Sequence, residues 1–286
     1  MRSSVERDEI TSERASSMSH HDDHDEFGGL HRDLRLTGAA MDRRRALRLA
    51  ARFGFSVGAL QLFGCGDSSA VELAGPDAES CQRIPDETAG PFPAEGSNGP
   101  NVLNQTGVVR SDIRSSFAGL SGRAEGVPLT IDLTLVSAAT CAPLVNRAVY
   151  VWHCDNRGRY SLYSAGVTNQ NYLRGVQATD AAGKVTFTSI FPACYAGRWP
   201  HIHFEVFQSL VSATNASNKT ATSQIALPKA ACDLVYATPG YEQSITNLAQ
   251  VSLASDAVFR DSSSFQLATM TGSVASGFTA MLTVAI

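Results

Sequence analysis

The stretch LTIDLTLVSA at 129–138 alternates apolar and polar residues. Leu129, Ile131, Leu133 and Leu135 fall on one side, and Thr130, Asp132 and Thr134 on the other. A period of two is the signature of a strand with one face in a core. AVYVWHCD (148–155) is apolar on both faces, which suits a buried strand, and KVTFTSIF (184–191) follows the turn TDAAG. IHFEVFQS (202–209), SQIAL (223–227), FQLATMT (265–271) and FTAMLTVAI (278–286) read as further strands. Helical periodicity is confined to one short segment near 243–254. Many short strands separated by Gly, Pro, Asn and Asp turns point to an all-β sandwich or barrel.

The chain has 286 residues, 43% hydrophobic and 17% charged, enough to build a substantial core. A formal net charge of −4 gives no reason to expect nucleic-acid binding. None of the six cysteines forms a CxxC pair, so a zinc ribbon is unsupported. The five cysteines after Cys65 fit an oxidising compartment: Cys141 can pair with Cys154, and Cys194 with another, but five cannot all pair within one chain and the sequence leaves the connectivity open.

From Met41 the chain reads MDRRRALRLAARFGFSVGALQLFGCG, a basic start followed by an apolar stretch. That is the layout of an export signal, and the consecutive arginines are similar to a twin-arginine leader. LFGC resembles a lipobox, which makes Cys65 a lipid anchor and the chain's only expected contact with a membrane. Residues 1–65 are therefore expected to be an upstream extension and signal, with Met41 a candidate start. Residues 66–83 are expected to be a tether, and 84–286 the folded body of an exported, envelope-located protein. The cluster His20, His21 and His24 precedes the signal and is discarded, leaving His153, His201 and His203 as the histidines that matter.

YAGRWPHIHF (195–204) carries the chemistry. On a strand His201 and His203 project to one side about 6–7 Å apart, close enough to share a metal ion. Their company is open at this point. Asp155, Asp180 or Glu205 with His153 would give a zinc or ferrous site of the His/carboxylate kind. Tyr160 and Tyr195 would instead give phenolates, which need a nearby positive charge to ionise at neutral pH. A ferric ion supplies that charge and favours hard anionic oxygen. His153 lies on a doubly apolar strand and is assigned to structure; Gln177 is placed in a pocket wall and Asp180 there or in the following turn.

Taken together, CAPLVNRAVYVWHCDNRGRYSLYS (141–164), YLRGVQATDAAGKVTFTSIFPACYAGRWPHIHFEV (172–206), DETAGPF (86–92) and RSDI (110–113) closely resemble the intradiol ring-cleavage dioxygenases. The resemblance covers roughly 84–286 and is strongest to short, exported members. It implies a β-sandwich of mostly antiparallel strands with long loops. It also implies an Fe(III) ion held by Tyr160, Tyr195, His201 and His203, with Tyr195 and His203 axial. Tyr195 would double as an internal base and Arg198 would stabilise developing negative charge. The partners implied are a small aromatic diol and O2, giving a cis,cis-muconate-type product. The helical N-terminal region of the cytosolic catechol dioxygenases is missing, and the segment between Tyr195 and His201 is short, so an open pocket is expected. Two other readings compete: a non-catalytic cell-surface binding module, and a zinc or ferrous enzyme using His201, His203 and a carboxylate.

Overall fold

The alternation at 129–138 becomes strand β1, Pro128–Val136, whose apolar residues are buried while Thr130, Asp132 and Thr134 face outward. The computed structural model describes residues 81–261 and 263–286; the expected signal, Cys65 and residues 66–80 of the expected tether lie outside them. The remaining strands are β2 (Ala148–Trp152), β3 (Arg174–Ala178), β4 (Lys184–Ile190), β5 (His201–Phe207), β6 (Lys219–Ala226), β7 (Thr269–Ser273) and β8 (Gly277–Ala285). They form two four-stranded sheets, ordered β4-β1-β8-β7 and β3-β2-β5-β6. Every pairing is antiparallel except β1 with β8. The fold is the expected β-sandwich.

Between the sheets lies one continuous core. Leu129, Ile131, Leu133 and Leu135 meet Val149, Val151, Ile202, Phe204 and Val206 from the other sheet. Each of these side chains is 0–1% exposed, and burial on that scale stabilises by about 1.5–3 kcal/mol per side chain. The second sheet is buried on its outer face as well. There Tyr150 and Trp152 pack with Val102, Leu103, Val108 and Phe117 from the long loops. This double burial explains why AVYVWHCD shows no alternation: neither face meets water. It also hands the outward face of β5, with His201, His203 and Glu205, to a covered interior.

The covering layer begins with a strap, residues 84–93. Ile84 N donates to Ala285 O at 2.9 Å, and Glu87 N donates to Thr222 O at 2.8 Å. Ser223 Oγ donates to Pro85 O at 2.7 Å, and Gln224 Nε2 to Thr88 O at 3.0 Å. The prolines of this segment deny it a strand's full ladder, so side chains complete its hydrogen bonding.

Several elements differ from the sequence reading. RGVQA forms strand β3, which composition obscured because it holds an arginine, a glycine and a glutamine. Gln177, placed in a pocket wall from the sequence, sits on this strand, and its side chain donates to the Thr186 carbonyl of β4 in the other sheet. Asp180 caps the 180–184 turn by accepting from the Ala182 and Lys184 amides. Helix α1 (Lys229–Tyr236) was not foreseen, because eight residues give barely two turns of periodicity; α2 (Glu242–Leu248) matches the short helical segment in part. FQLATMT keeps strand geometry only from Thr269, its start being taken by a 3-10 turn at Ser263–Phe265. Among the described residues no helix is long and apolar enough to cross a membrane.

Cys141 pairs with Cys81, and Cys154, Cys194 and Cys232 are buried free thiols. Cys154 cannot serve Cys141 because its thiol points into the loop-covered layer, toward Ala193 O. The disulfide holds residues 81–83, the described end of the expected tether, against the sandwich.

Closing a loop across a separation of 60 residues should contribute about 4 kcal/mol. Non-reducing peptide mapping should return the Cys81–Cys141 link, with Cys154, Cys194 and Cys232 alkylated only after unfolding. C141S should lose about that stability in urea unfolding; an unchanged midpoint would mean that the bond does not form.

Candidate metal centre

β5 carries the two histidines to the outer face of the second sheet. His203 sits opposite Trp152 of β2, and their rings stack at 4.9 Å between centroids and 7° between planes. His201 Nδ1 lies 2.5 Å from the Trp199 carbonyl, an acceptor only. Nδ1 must therefore carry the proton, which leaves Nε2 with its lone pair. That lone pair faces three other groups: His203 Nε2 at 3.1 Å, Tyr195 Oη at 3.2 Å and Tyr160 Oη at 3.4 Å.

Tyr160 arrives through a turn organised by Asp155. This carboxylate accepts from the Arg157 and Arg159 amides at 2.9 Å each, from Arg159 Nε at 2.9 Å and from Tyr172 Oη at 3.1 Å. Gly158 sits at φ +81°, and a Cβ there would come within 3.1 Å of Tyr195 Cβ, so glycine permits the two tyrosine-bearing segments to approach. Upstream of Tyr195, α2 pins the backbone: Ser244 Oγ accepts from Cys194 N at 3.0 Å and Asn247 Nδ2 donates to Cys194 O at 2.8 Å.

Burial, reinforced for His203 by His201 and for both by Arg198, holds the two imidazoles well below their ordinary pKa, so they are neutral. Burial likewise pushes the Tyr160 phenol well above its ordinary value, with Tyr195 adding to the effect. His203 Nδ1 is buried without a hydrogen-bond partner. If Nδ1 carries the proton, two bare lone pairs oppose each other at 3.1 Å; if Nε2 does, Nδ1 is an uncompensated acceptor. Two neutral nitrogen donors and two ionisable phenols converging on one point are what a hard or borderline cation requires. These donors fit a metal ion.

The carboxylate alternative is not assembled. Asp155 is spent on its turn, and Glu205 binds Lys219 Nζ at 2.7 Å. His153 bonds Ser189 Oγ at 2.7 Å and Cys154 O at 2.8 Å, as a structural histidine does. Among the described residues no three His, Cys, Asp or Glu side chains form a group that could hold a metal ion. The site is also more enclosed than its short loop suggests. Tyr160, His201 and His203 are each 2% exposed, and Tyr195 is the half-buried member, so solvent reaches the cluster on its side.

Arg198 is fully buried beside the cluster. Its Nε donates to Asp256 Oδ2 at 3.0 Å and its Nη2 to Gln224 Oε1 at 2.7 Å. Asp256 also accepts from the amides of Trp199 (2.7 Å), Val258 (2.8 Å) and Phe259 (3.2 Å). Burial alone would raise the Asp256 carboxyl, but Arg198 and the Trp199 amide outweigh it and hold it below the usual range. Neither Asp256 nor Gln224 stood out in the sequence. Asp256 lies 58 residues from its partner, in a loop of small polar residues, with no local signal to mark it.

A family model described as Dioxygenase matches residues 98–256, a span containing Tyr160, Tyr195, Arg198, His201 and His203. Among solved structures, the chain is similar to an intradiol ring-cleavage dioxygenase from Tetranychus urticae, with 23% identity and a TM-score of 0.57 over 72% of this chain and 95% of that one. A second solved dioxygenase is 24% identical, with a TM-score of 0.56 over 72% and 94% of the respective chains. The dioxygenase domain of a carbohydrate-binding fusion from Streptomyces sp. SirexAA-E is 22% identical, with a TM-score of 0.44 over 72% and 98%. At these identities the likeness to the first two speaks for the fold alone. No curated protein sequence matches the chain.

Replacing Asp256 by alanine strands the buried Arg198 guanidinium without its counter-charge. The expected loss is about 3–5 kcal/mol in urea unfolding; a loss below about 1 kcal/mol would show that the pair is solvated in solution.

Proposed function

The chain belongs to the intradiol ring-cleavage dioxygenase family, and from that premise we propose that it binds a ferric ion through Tyr160, Tyr195, His201 and His203 and opens a catechol-type ring between its two hydroxylated carbons, incorporating both atoms of O2. The observation that carries this reading is the convergence of three donor atoms, Tyr160 Oη, Tyr195 Oη and His203 Nε2, on a fourth, His201 Nε2, each within 3.4 Å of it. When bound, the ferric ion would supply the Lewis acidity that ionises the diol and makes its ring reactive toward O2.

The chain's own residues do the rest. His201 is held as a neutral Nε2 donor by the Trp199 carbonyl, so it need lose no proton to bind metal. Tyr195, nearest to solvent, is the group suited to take a proton from the incoming diol at its Oη. Arg198 brings a permanent positive charge into a water-poor site, aimed by Asp256 and Gln224, where it would stabilise negative charge developing on the substrate. An envelope location with a lipid anchor at Cys65 accords with the Cys81–Cys141 disulfide, which suits an oxidising compartment.

Iron-loaded protein should be red-brown, and with catechol in air should consume O2 and yield ring-opened muconate. Y160F removes one phenolate and should lower turnover by about 100-fold or more while altering the visible colour. A coloured protein that leaves every catechol intact would overturn the proposed activity; full retention by Y160F would remove Tyr160 from the ligand set.

A further inference from the structure

Arg174, at the start of β3, is 1% exposed, and among the described residues no carboxylate pairs with it. All five of its N–H donors go to neutral acceptors. Nε donates to Ser161 Oγ at 3.1 Å. Nη1 donates to Pro93 O at 2.9 Å and to Tyr150 Oη at 3.2 Å. Nη2 donates to Phe92 O and Ser161 O, each at 2.9 Å. A guanidinium spends all five donors only where its fork matches a preformed set of acceptors. Burying the charge without a counter-ion is costly, so the acceptors must be held with little slack.

Apart from Tyr150 Oη on β2, those acceptors belong to two separate segments that meet at the candidate metal centre. Ser161 follows Tyr160 directly. Phe92 belongs to the strap, and its ring packs on that of Tyr160 with centroids 5.0 Å apart. Tyr163 completes the contact, 5.3 Å from Phe92 and with the Arg174 guanidinium 5.5 Å from its ring centre. Tyr150 Oη reinforces the same junction by donating to Pro93 O at 2.7 Å.

We propose that Arg174 is a positioning residue: its fork clamps the strap at Phe92–Pro93 to the turn at Ser161, and through that clamp fixes the Tyr160 ring. The role assigned to Tyr160 rests on the function proposed above, whereas the clamp itself does not. Its test therefore has a part that needs no metal. In the metal-free full chain, R174M should raise amide exchange at 91–98 and 160–164 together, by about 10-fold or more, while β2 and β5 stay protected. R174K keeps the charge but loses the fork, and should loosen both segments by a smaller factor; if R174M does not fold, the exchange is read on R174K and S161A. In iron-loaded protein R174K should also shift the visible tyrosinate band, which a residue that merely stabilises the sheet would not do. Wild-type exchange at either segment, or loosening spread evenly over the chain, would overturn the clamp. A band fixed at the wild-type position would overturn the positioning of Tyr160. A wild-type protein with no such band would count against the ferric reading alone, and the exchange result would still decide the clamp.

Discussion

Two imidazole nitrogens held 3.1 Å apart, both neutral and both buried, are the constraint around which the rest of the structure is organised. The Trp199 carbonyl dictates which nitrogen of His201 keeps its proton, and stacking on Trp152 fixes the plane of the His203 ring. Either tautomer of His203 leaves a buried ring nitrogen unsatisfied. Two phenols close the same space, and burial keeps Tyr160 from ionising unaided. Such a cluster costs stability in the metal-free chain, and a bound cation would turn each of its unfavourable terms into a favourable one.

Rigidity for that cluster comes from placing it on the outer face of the second sheet. The inter-sheet core holds β2 and β5 in register, while the strap and the long loops seal the other side. Each donor is tied to a different part of the chain. Asp155 shapes the Tyr160 turn, α2 anchors the backbone before Tyr195, and Asp256 joins a distant loop to the segment leading into β5. Arg198 and Arg174 flank the site as buried cations with opposite surroundings, one matched by a carboxylate and the other by neutral oxygens alone. A carboxylate beside Arg198 tempers its charge and fixes its direction, which suits the role proposed for it.

Period-two strands were legible because β1 and β5 each present one face to the inter-sheet core, and His201 and His203 inherit their common direction from that alternation. The tyrosines were legible only through resemblance, since nothing in the local pattern around Tyr160 or Tyr195 distinguishes a metal-facing phenol from a rim aromatic. Strand β3 and the pairing of Gln177 with β4 escaped notice because an edge strand stabilised by its neighbours need not show propensity. Asp256, Gln224 and the Cys81–Cys141 bond are long-range partnerships that no short window records. The carboxylate alternative read plausibly because Glu205 shares a face with the histidines; in the structure its Oε1 bonds Lys219 from the next strand.

Resonance Raman spectroscopy of the iron-loaded chain, excited within its visible band, tests the convergence most directly. Tyrosinate vibrations are expected from two inequivalent residues, one set lost in Y160F and the other in Y195F. Iron bound without tyrosinate vibrations, or a spectrum unchanged by both substitutions, would contradict the assembly of those four donors into one metal centre.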